Sequence, residues 1–265
     1  MLPINFEFLF IKLHNYEGIY FFIAILSAIF FFTYLCKQNN VNLDLMYEAI
    51  FICLLVALIT GRLFSFLLWN PIELLKNPII FFQPWNGGIT VAGGVLGGLI
   101  AGAVFAKVKK LNFFYYIRFF IPPILIGQII GRFGCFLNGD AAGKPTDLPW
   151  GVIFARNSAA YYSVPHGTPL HPTQLYEIFA NLLLLFFILI TGKNEWITKR
   201  RVIWYAFGYS IIRFIIEFFR NDSEKWFGIF TTGQQICLIG FGIALILLIW
   251  SLFNDQKMNK EEINS

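Results

Sequence analysis

Seven apolar runs, each close to the length that crosses a bilayer, constrain this 265-residue chain more than any other feature. A helix needs about 20 mostly apolar residues to span the hydrocarbon core. The runs fall at about 18–36, 47–69, 88–106, 113–137, 174–191, 201–220 and 231–253. Composition agrees, with 57% hydrophobic and only 13% charged residues, where a soluble domain carries about 25% charged. Only helices and closed barrels satisfy their backbone polar groups within lipid. The expected fold is therefore an all-α polytopic membrane protein of about seven transmembrane helices. No internal repeat or low-complexity linker divides it, so residues 1–265 are expected to form a single integral-membrane domain. Residues 1–17 carry charge of both signs and no small-residue cleavage site follows, so the first run reads as a retained span rather than a cleaved signal.

Loop charges orient the bundle. With the N-terminus outside, the inner segments hold Lys37, Lys107, Lys109, Lys110, Lys193, Lys199, Arg200, Arg201, Lys257 and Lys260. The outer segments hold Lys12, Lys76, Lys144, Arg156 and Lys225, spread over more sequence. Basic residues concentrate on the cytoplasmic side, which predicts N-out, C-in and a short cytoplasmic tail at about 254–265. The sizeable extramembrane piece, about 138–173, then forms a small extracytoplasmic cap between spans four and five, rich in proline. Trp85 and Trp150 suit the aromatic belt at that surface. The modest net charge of +5 points to no nucleic-acid partner. Cys36, Cys53, Cys135 and Cys237 are too scattered for a metal site or disulfide framework; the first two and Cys237 read as small packing residues. Pro122-Pro123 predicts a kink in the fourth span.

In this orientation the costly polar residues gather in the outer half of the bundle. Arg132, Asn138 and Asp140 end the fourth span. Tyr209, Arg213, Glu217 and Arg220 are spaced by four, four and three, and so share one helix face. Arg213 and Glu217 are placed to pair. Arg62 lies in the outer half of the second span; His171, Gln174 and Glu177 open the fifth, and "TTGQQ" opens the seventh. An intramembrane arginine costs about 2.5–3.5 kcal/mol on insertion scales. Arg62, Arg132 and Arg213 against Glu217 leave surplus positive charge that calls for an anion. The planar guanidinium fork suits phosphate, and at this depth phosphate means a phospholipid headgroup, with Gly131, Gly134, Gly139 and Gly143 letting backbone N–H groups approach it. Each residue alone has a plainer reading. Arg62 or Arg213 with Glu217 can be a structural pair, Arg220 can snorkel, and His171 can be an N-cap before proline at N1. His14 and His166 read as surface residues, and the Gly-rich third span as packing.

At "GRFGCFLNGDAAG", "LPWGV", "HPTQLYE" and "RFIIEFFR", in that order, the chain resembles the prolipoprotein diacylglyceryl transferase family. "TGRLF", "WNGGITVAGGVLGG" and Gly233-Gln234 also fit. The resemblance implies an enzyme of the bacterial inner membrane, with its active site toward the outer leaflet and no cofactor. Its substrates would be phosphatidylglycerol, drawn from the membrane lipids, and prolipoprotein signal peptides with a lipobox cysteine. The diacylglyceryl group moves to that thiol, a thioether forms and glycerol phosphate leaves. By the same resemblance Arg132 and Arg213 are the essential pair, Asn138, Asp140 and Gly143 are signature residues, and Glu217 and Arg220 follow the pattern of the sixth span. Gly93 and Gly94 lie in the Gly-rich motif, and Tyr16 or Tyr20 corresponds to a family tyrosine. Two departures matter. The family often has Asn where this chain has Cys135. Family members often have His before the second GG of "GGITVAGG", where this chain has Ala92. With no base there, the thiolate forms in the field of the arginines, or His171 or Glu217 serves as base, or the chain is an inactive paralogue that binds phospholipid or prolipoprotein. A small transporter is the remaining alternative, and it predicts an inverted repeat that the sequence does not contain.

Overall fold

The computed structural model describes residues 7–8, 11–12, 17–69, 71–83, 88–155, 158, 160, 163–221 and 229–263. Tyr16, Trp85, His14, Arg156 and Lys225, all singled out above, lie outside them. A short antiparallel pair, β1 (Glu7–Phe8) with β2 (Ile11–Lys12), precedes an otherwise helical chain. The long helices are α1 (Glu17–Gln38), α2 (Leu43–Trp69), α4 (Val91–Val108), α6 (Ile121–Asn138), α7 (Thr173–Ile190), α9 (Arg201–Glu217) and α10 (Thr232–Ile263). The short α3 (Pro71–Lys76), α5 (Phe113–Ile117) and α8 (Glu195–Lys199) connect them, with 3-10 turns at Pro78–Phe82 and Thr191–Lys193.

Among the described residues six helices are long and apolar enough to cross a membrane: Ile19–Gln38, Leu43–Leu68, Val91–Val108, Ile121–Asn138, Thr173–Lys193 and Thr232–Phe253. Their outward faces carry exposed residues such as Phe30, Leu58, Leu183, Ile239 and Ile246, the surface expected against lipid. The chain is an all-α polytopic membrane protein. The sixth apolar run, expected to reach residue 220, is helical only over the 17 residues Arg201–Glu217. At 1.5 Å per residue that is about 26 Å, just short of the hydrocarbon core.

The fourth run also differs from expectation. No helix kinks at Pro122-Pro123. The segment breaks into α5, a turn at 118–120, and α6, so the prolines sit in the first turn of α6. There their missing N–H groups have no helical partner to lose. α6 ends on Gly139 at φ 77°. Asp140 N donates to Cys135 O at 2.9 Å and Gly139 N to Phe136 O at 3.3 Å, a Schellman closure.

The chain divides into two compact units, Thr33–Phe119 and the remainder, Met1–Phe32 with Phe120–Ser265. Within the Thr33–Phe119 unit α2 packs along α4. The glycines of α4 make this possible: a Cβ on Gly93 would stand 2.6 Å from Phe64 Cβ, and one on Gly97 would overlap Thr60 Oγ1. Thr90 caps α4, accepting from Gly93 N at 3.3 Å and donating to Gly61 O at 3.1 Å. In the other unit α6 packs on α7, α7 on α9, and α9 on α10. The 139–172 segment has its own small core of Ala142, Phe154, Ala160 and Leu170 against Phe136.

Gly97→Leu is expected to lower the thermal midpoint of the detergent-solubilised protein, by overpacking worth about 1–3 kcal/mol. Gly242→Ala, where an added Cβ meets nothing within 4 Å, should leave the midpoint unchanged or raise it. Intrinsic fluorescence melts of both variants check this.

Candidate active site at the mouth of α6, α7 and α9

Three polar residues mark one face of the otherwise apolar α7. Gln174, Glu177 and Asn181, at spacings of three and four, are all buried. Glu177 is the pivot of the site, at 2% exposure. Its Oε1 accepts from Arg132 Nε on α6 at 3.0 Å, and its Oε2 from Arg213 Nη1 on α9 at 3.2 Å. Arg213 Nη2 continues to Glu217 Oε2 at 3.1 Å, and Arg220 Nε lies 4.0 Å from the same oxygen. Five charges thus alternate in a line: Arg132, Glu177, Arg213, Glu217, Arg220. The side chains of Arg132 and Arg213 keep 23% and 17% of their surface exposed.

This corrects the charge balance read from sequence. Glu177, read in the sequence only as a residue opening the fifth span, is a second intramembrane acid and the one that joins both arginines. Arg62 belongs to the Thr33–Phe119 unit. There its Nε donates to Phe81 O, and its Nη2 to Ile80 O at 2.6 Å and Gln83 O at 2.7 Å. It holds the turn at 78–83 rather than standing as bare positive charge. Gly93 and Gly94 are likewise accounted for by packing on α2, Gly94 lying against Ala57 O. Ala92 is exposed in the first turn of α4.

The signature loop after α6 is tied down from two sides. Thr173 Oγ1 donates to Ala141 O and Gln174 Nε2 to Asp140 O, both at 2.6 Å. Gln174 is 1% exposed, so its role here is to fix the loop. On the other side Gly143 N donates to His171 O at 2.9 Å, Lys144 N to Phe219 O at 2.7 Å, and Lys144 Nζ to Phe218 O at 2.8 Å. Gly143 and Arg220 form a bridge between the two strands of backbone. A Cβ on Gly143 would stand 2.5 Å from His171 Cβ and 2.8 Å from Phe219 O, so only glycine fits this crossing. Asn138, the last residue of α6, is half-buried, and its carboxamide has no hydrogen-bond partner among the described residues.

His171 does not cap α7; Pro172 takes that position. Its Nδ1 lies 3.1 Å from Tyr176 Oη, which also accepts from Trp150 Nε1 at 2.8 Å. The ring packs edge-on against Phe219 and Tyr176, and burial holds its pKa below the ordinary histidine value. Arg220, with little exposed side chain, turns inward to Glu217 rather than snorkelling. Tyr209 stacks on Tyr205 one turn below Arg213, with ring centroids 5.7 Å apart, and Tyr205 Oη accepts from Gln128 Nε2 at 2.8 Å. Tyr20, the alternative to Tyr16, packs over Gly134 of α6, where a Cβ would meet Tyr20 Cβ at 2.8 Å. Among the described residues no group of His, Cys, Asp and Glu could hold a metal ion.

Comparison with known proteins gives the relatives of the chain. The sequence profile of the prolipoprotein diacylglyceryl transferase family matches residues 3–250. A phosphatidylglycerol–prolipoprotein diacylglyceryl transferase of Fusobacterium nucleatum is 32% identical, with 95% of this chain and 96% of that protein covered. The enzyme of the same name from Methylococcus capsulatus is 35% identical over 75% of this chain and 76% of its own length. That from a Nostoc species is 32% identical over 86% and 81%. Match and coverage together make this chain a member of the prolipoprotein diacylglyceryl transferase family.

Proposed function

We propose that the chain transfers the diacylglyceryl group of phosphatidylglycerol to the lipobox cysteine of a prolipoprotein signal peptide. The observation that carries this reading is the pair of arginines from separate helices, Arg132 and Arg213, held by the two oxygens of one buried carboxylate. A guanidinium has five N–H donors. Arg132 engages Glu177 through Nε, so its Nη edge is turned to other partners.

In the reaction the thiol sulfur bonds to the glyceryl methylene carbon as the C–O bond to phosphate breaks. The bonding pair leaves on the phosphate oxygen, and the thiol proton ends on the glycerol phosphate or in water. The phosphodiester enters with one negative charge and gains a second as it departs. Arg132 and Arg213 meet that growing charge with N–H donors in a site of low dielectric, where such donors act most strongly. Asn138 ends α6, and Asp140 and Gly143 lie on the loop that follows it. Glu177 and Arg220 belong to the line of alternating charges, and Tyr209 lies one turn below Arg213.

No side chain is assigned as the base. Ala92 has no proton acceptor, and His171 Nδ1 is already engaged by Tyr176. A thiol ionises more readily beside cationic groups, and the arginines supply that field. The inactive-paralogue reading finds no support in the site, where both arginines and both acids are present and connected. Arg132→Ala and Arg213→Ala are expected to abolish transfer of labelled diacylglyceryl to a lipobox peptide by the purified protein, and His171→Ala only to weaken it. A mass increase on the peptide cysteine is the readout, and an Arg132→Ala protein of undiminished rate overturns the reading.

The mouth faces the outer leaflet of the bacterial inner membrane, with the N-terminus outside and the C-terminus in the cytoplasm, on the distribution of basic residues. A C-terminal green fluorescent protein fusion should then fluoresce, while a C-terminal alkaline phosphatase fusion should be inactive. The opposite pattern would put the site on the cytoplasmic side.

A further inference from the structure

The start of α10 has no part in the chemistry described above, yet it is built around Glu217. Thr231 and Gln234 cap the helix reciprocally: Gln234 N donates to Thr231 Oγ1 at 3.2 Å, and Thr231 N donates to Gln234 Oε1 at 3.1 Å. The cap fixes the Thr231 hydroxyl, whose own proton goes to Glu217 Oε1 at 3.2 Å. Gly233 lies directly under the same carboxylate. A Cβ there would stand 2.5 Å from Glu217 Oε1, 2.6 Å from Cδ and 2.9 Å from Oε2. The carboxylate occupies space that any other residue at 233 would fill, and it meets α10 at the positive end of the helix dipole. Its Oε2 pairs with Arg213 Nη2 at 3.1 Å. The carboxylate is a wedge between the first turn of α10 and the arginine of α9.

We propose that Gly233 is a positioning residue for the transfer reaction: it admits the Glu217 carboxylate to the first turn of α10 and so sets where Arg213 presents its donors. This rests on the reading of Arg213 as a phosphate ligand. Ordinary contact begins near 3.4 Å, so an alanine at 233 displaces the carboxylate by about 1 Å, and a misplacement of that size in a reacting site costs up to about a hundredfold in rate. Packing alone between α9 and α10 does not account for the arrangement. Gly240 serves that purpose two turns along the same face, where an added Cβ would meet Ser210 Oγ at 3.1 Å and no charged group.

The test uses the purified full-length protein with phosphatidylglycerol and a lipobox peptide, measuring kcat, KM and thermal midpoint. Gly233→Ala is expected to lower kcat by about tenfold to a hundredfold. Glu217→Asp shortens the acid by one methylene and withdraws the carboxylate from the new methyl. The double variant should therefore be faster than Gly233→Ala alone by about threefold or more, a coupling typical of residues in contact. Gly240→Ala should keep kcat within about twofold, as a packing change away from the charged groups. Wild-type kcat in Gly233→Ala, effects that simply multiply in the double variant, or a lowered midpoint with unchanged kcat in the folded protein would each overturn the inference. Full activity of Arg213→Ala would instead overturn the phosphate reading on which it rests, while a dead Arg213→Ala with no coupling between 233 and 217 overturns only the present inference.

Discussion

A carboxylate with almost no exposed surface, shared by guanidiniums from two other helices, organises the polar end of this protein. Lipid tails are as apolar as the side chains that line a bundle, so hydrophobicity gives helices little reason to choose one register over another. Charge supplies that reason. Glu177 without partners would be prohibitively costly in the bundle, and so would Arg132 or Arg213. Joined at 3.0 and 3.2 Å, they fix α6, α7 and α9 at one level. Removing one member of such a set leaves the others buried and uncompensated, a loss of about 3–5 kcal/mol in comparable pairs. In the proposed reaction the same contact is structural and functional at once, so stability and activity are read together in any variant of it.

The loop following α6 depends on that register. Its carbonyls at Asp140 and Ala141 receive donors from the first two residues of α7, and Gly143 and Lys144 receive and give backbone bonds to the segments before α7 and after α9. Every one of these bonds assumes that the three helix ends already meet. The Schellman closure on Gly139 starts the loop in the right direction, and the bare Cα of Gly143 lets three backbone segments cross in one place. A string of glycines that looks permissive in sequence is thus tightly specified by its surroundings. Gly134, Gly139 and Gly143 serve close approach among protein groups, while an added Cβ at Gly131 would meet nothing within 4 Å.

Much of this architecture is legible in the amino-acid order. Apolar length alone marks the membrane spans, and spacing alone puts Arg213 and Glu217 within reach of each other. The features that escape the sequence share a physical character. Arg62 is held by main-chain carbonyls, and every residue has one, so no side-chain pattern announces such a partner. Pro122-Pro123 reads as a kink because the apolar run continues through it; a helix start is the cheaper solution, since the first turn has no N–H bonds to lose. Glu177 stands out in the sequence, but its part as a bridge does not. The clue is the face formed by Gln174, Glu177 and Asn181, since a polar stripe on an apolar helix in lipid has to face polar partners. The choice between Tyr16 and Tyr20 depends on a segment outside the described residues.

The alternation of the five charges has a consequence for the ligands the site can accept. Three guanidiniums against two carboxylates leave one positive charge. A cluster of bare arginines would repel itself apart and bind any anion; one fully matched by acids would bind none. In the proposed reaction a residual charge of one matches a phosphodiester, which carries a single negative charge when it arrives. The match becomes incomplete as the C–O bond breaks, because the departing phosphate gains a second charge while the protein can offer only the remaining N–H donors of Arg132 and Arg213. Those donors interact more strongly with the dianion than with the diester, and interactions that strengthen toward the transition state are the ones that accelerate a reaction. In the proposed reaction the two acids hold the arginines where the later, larger charge appears.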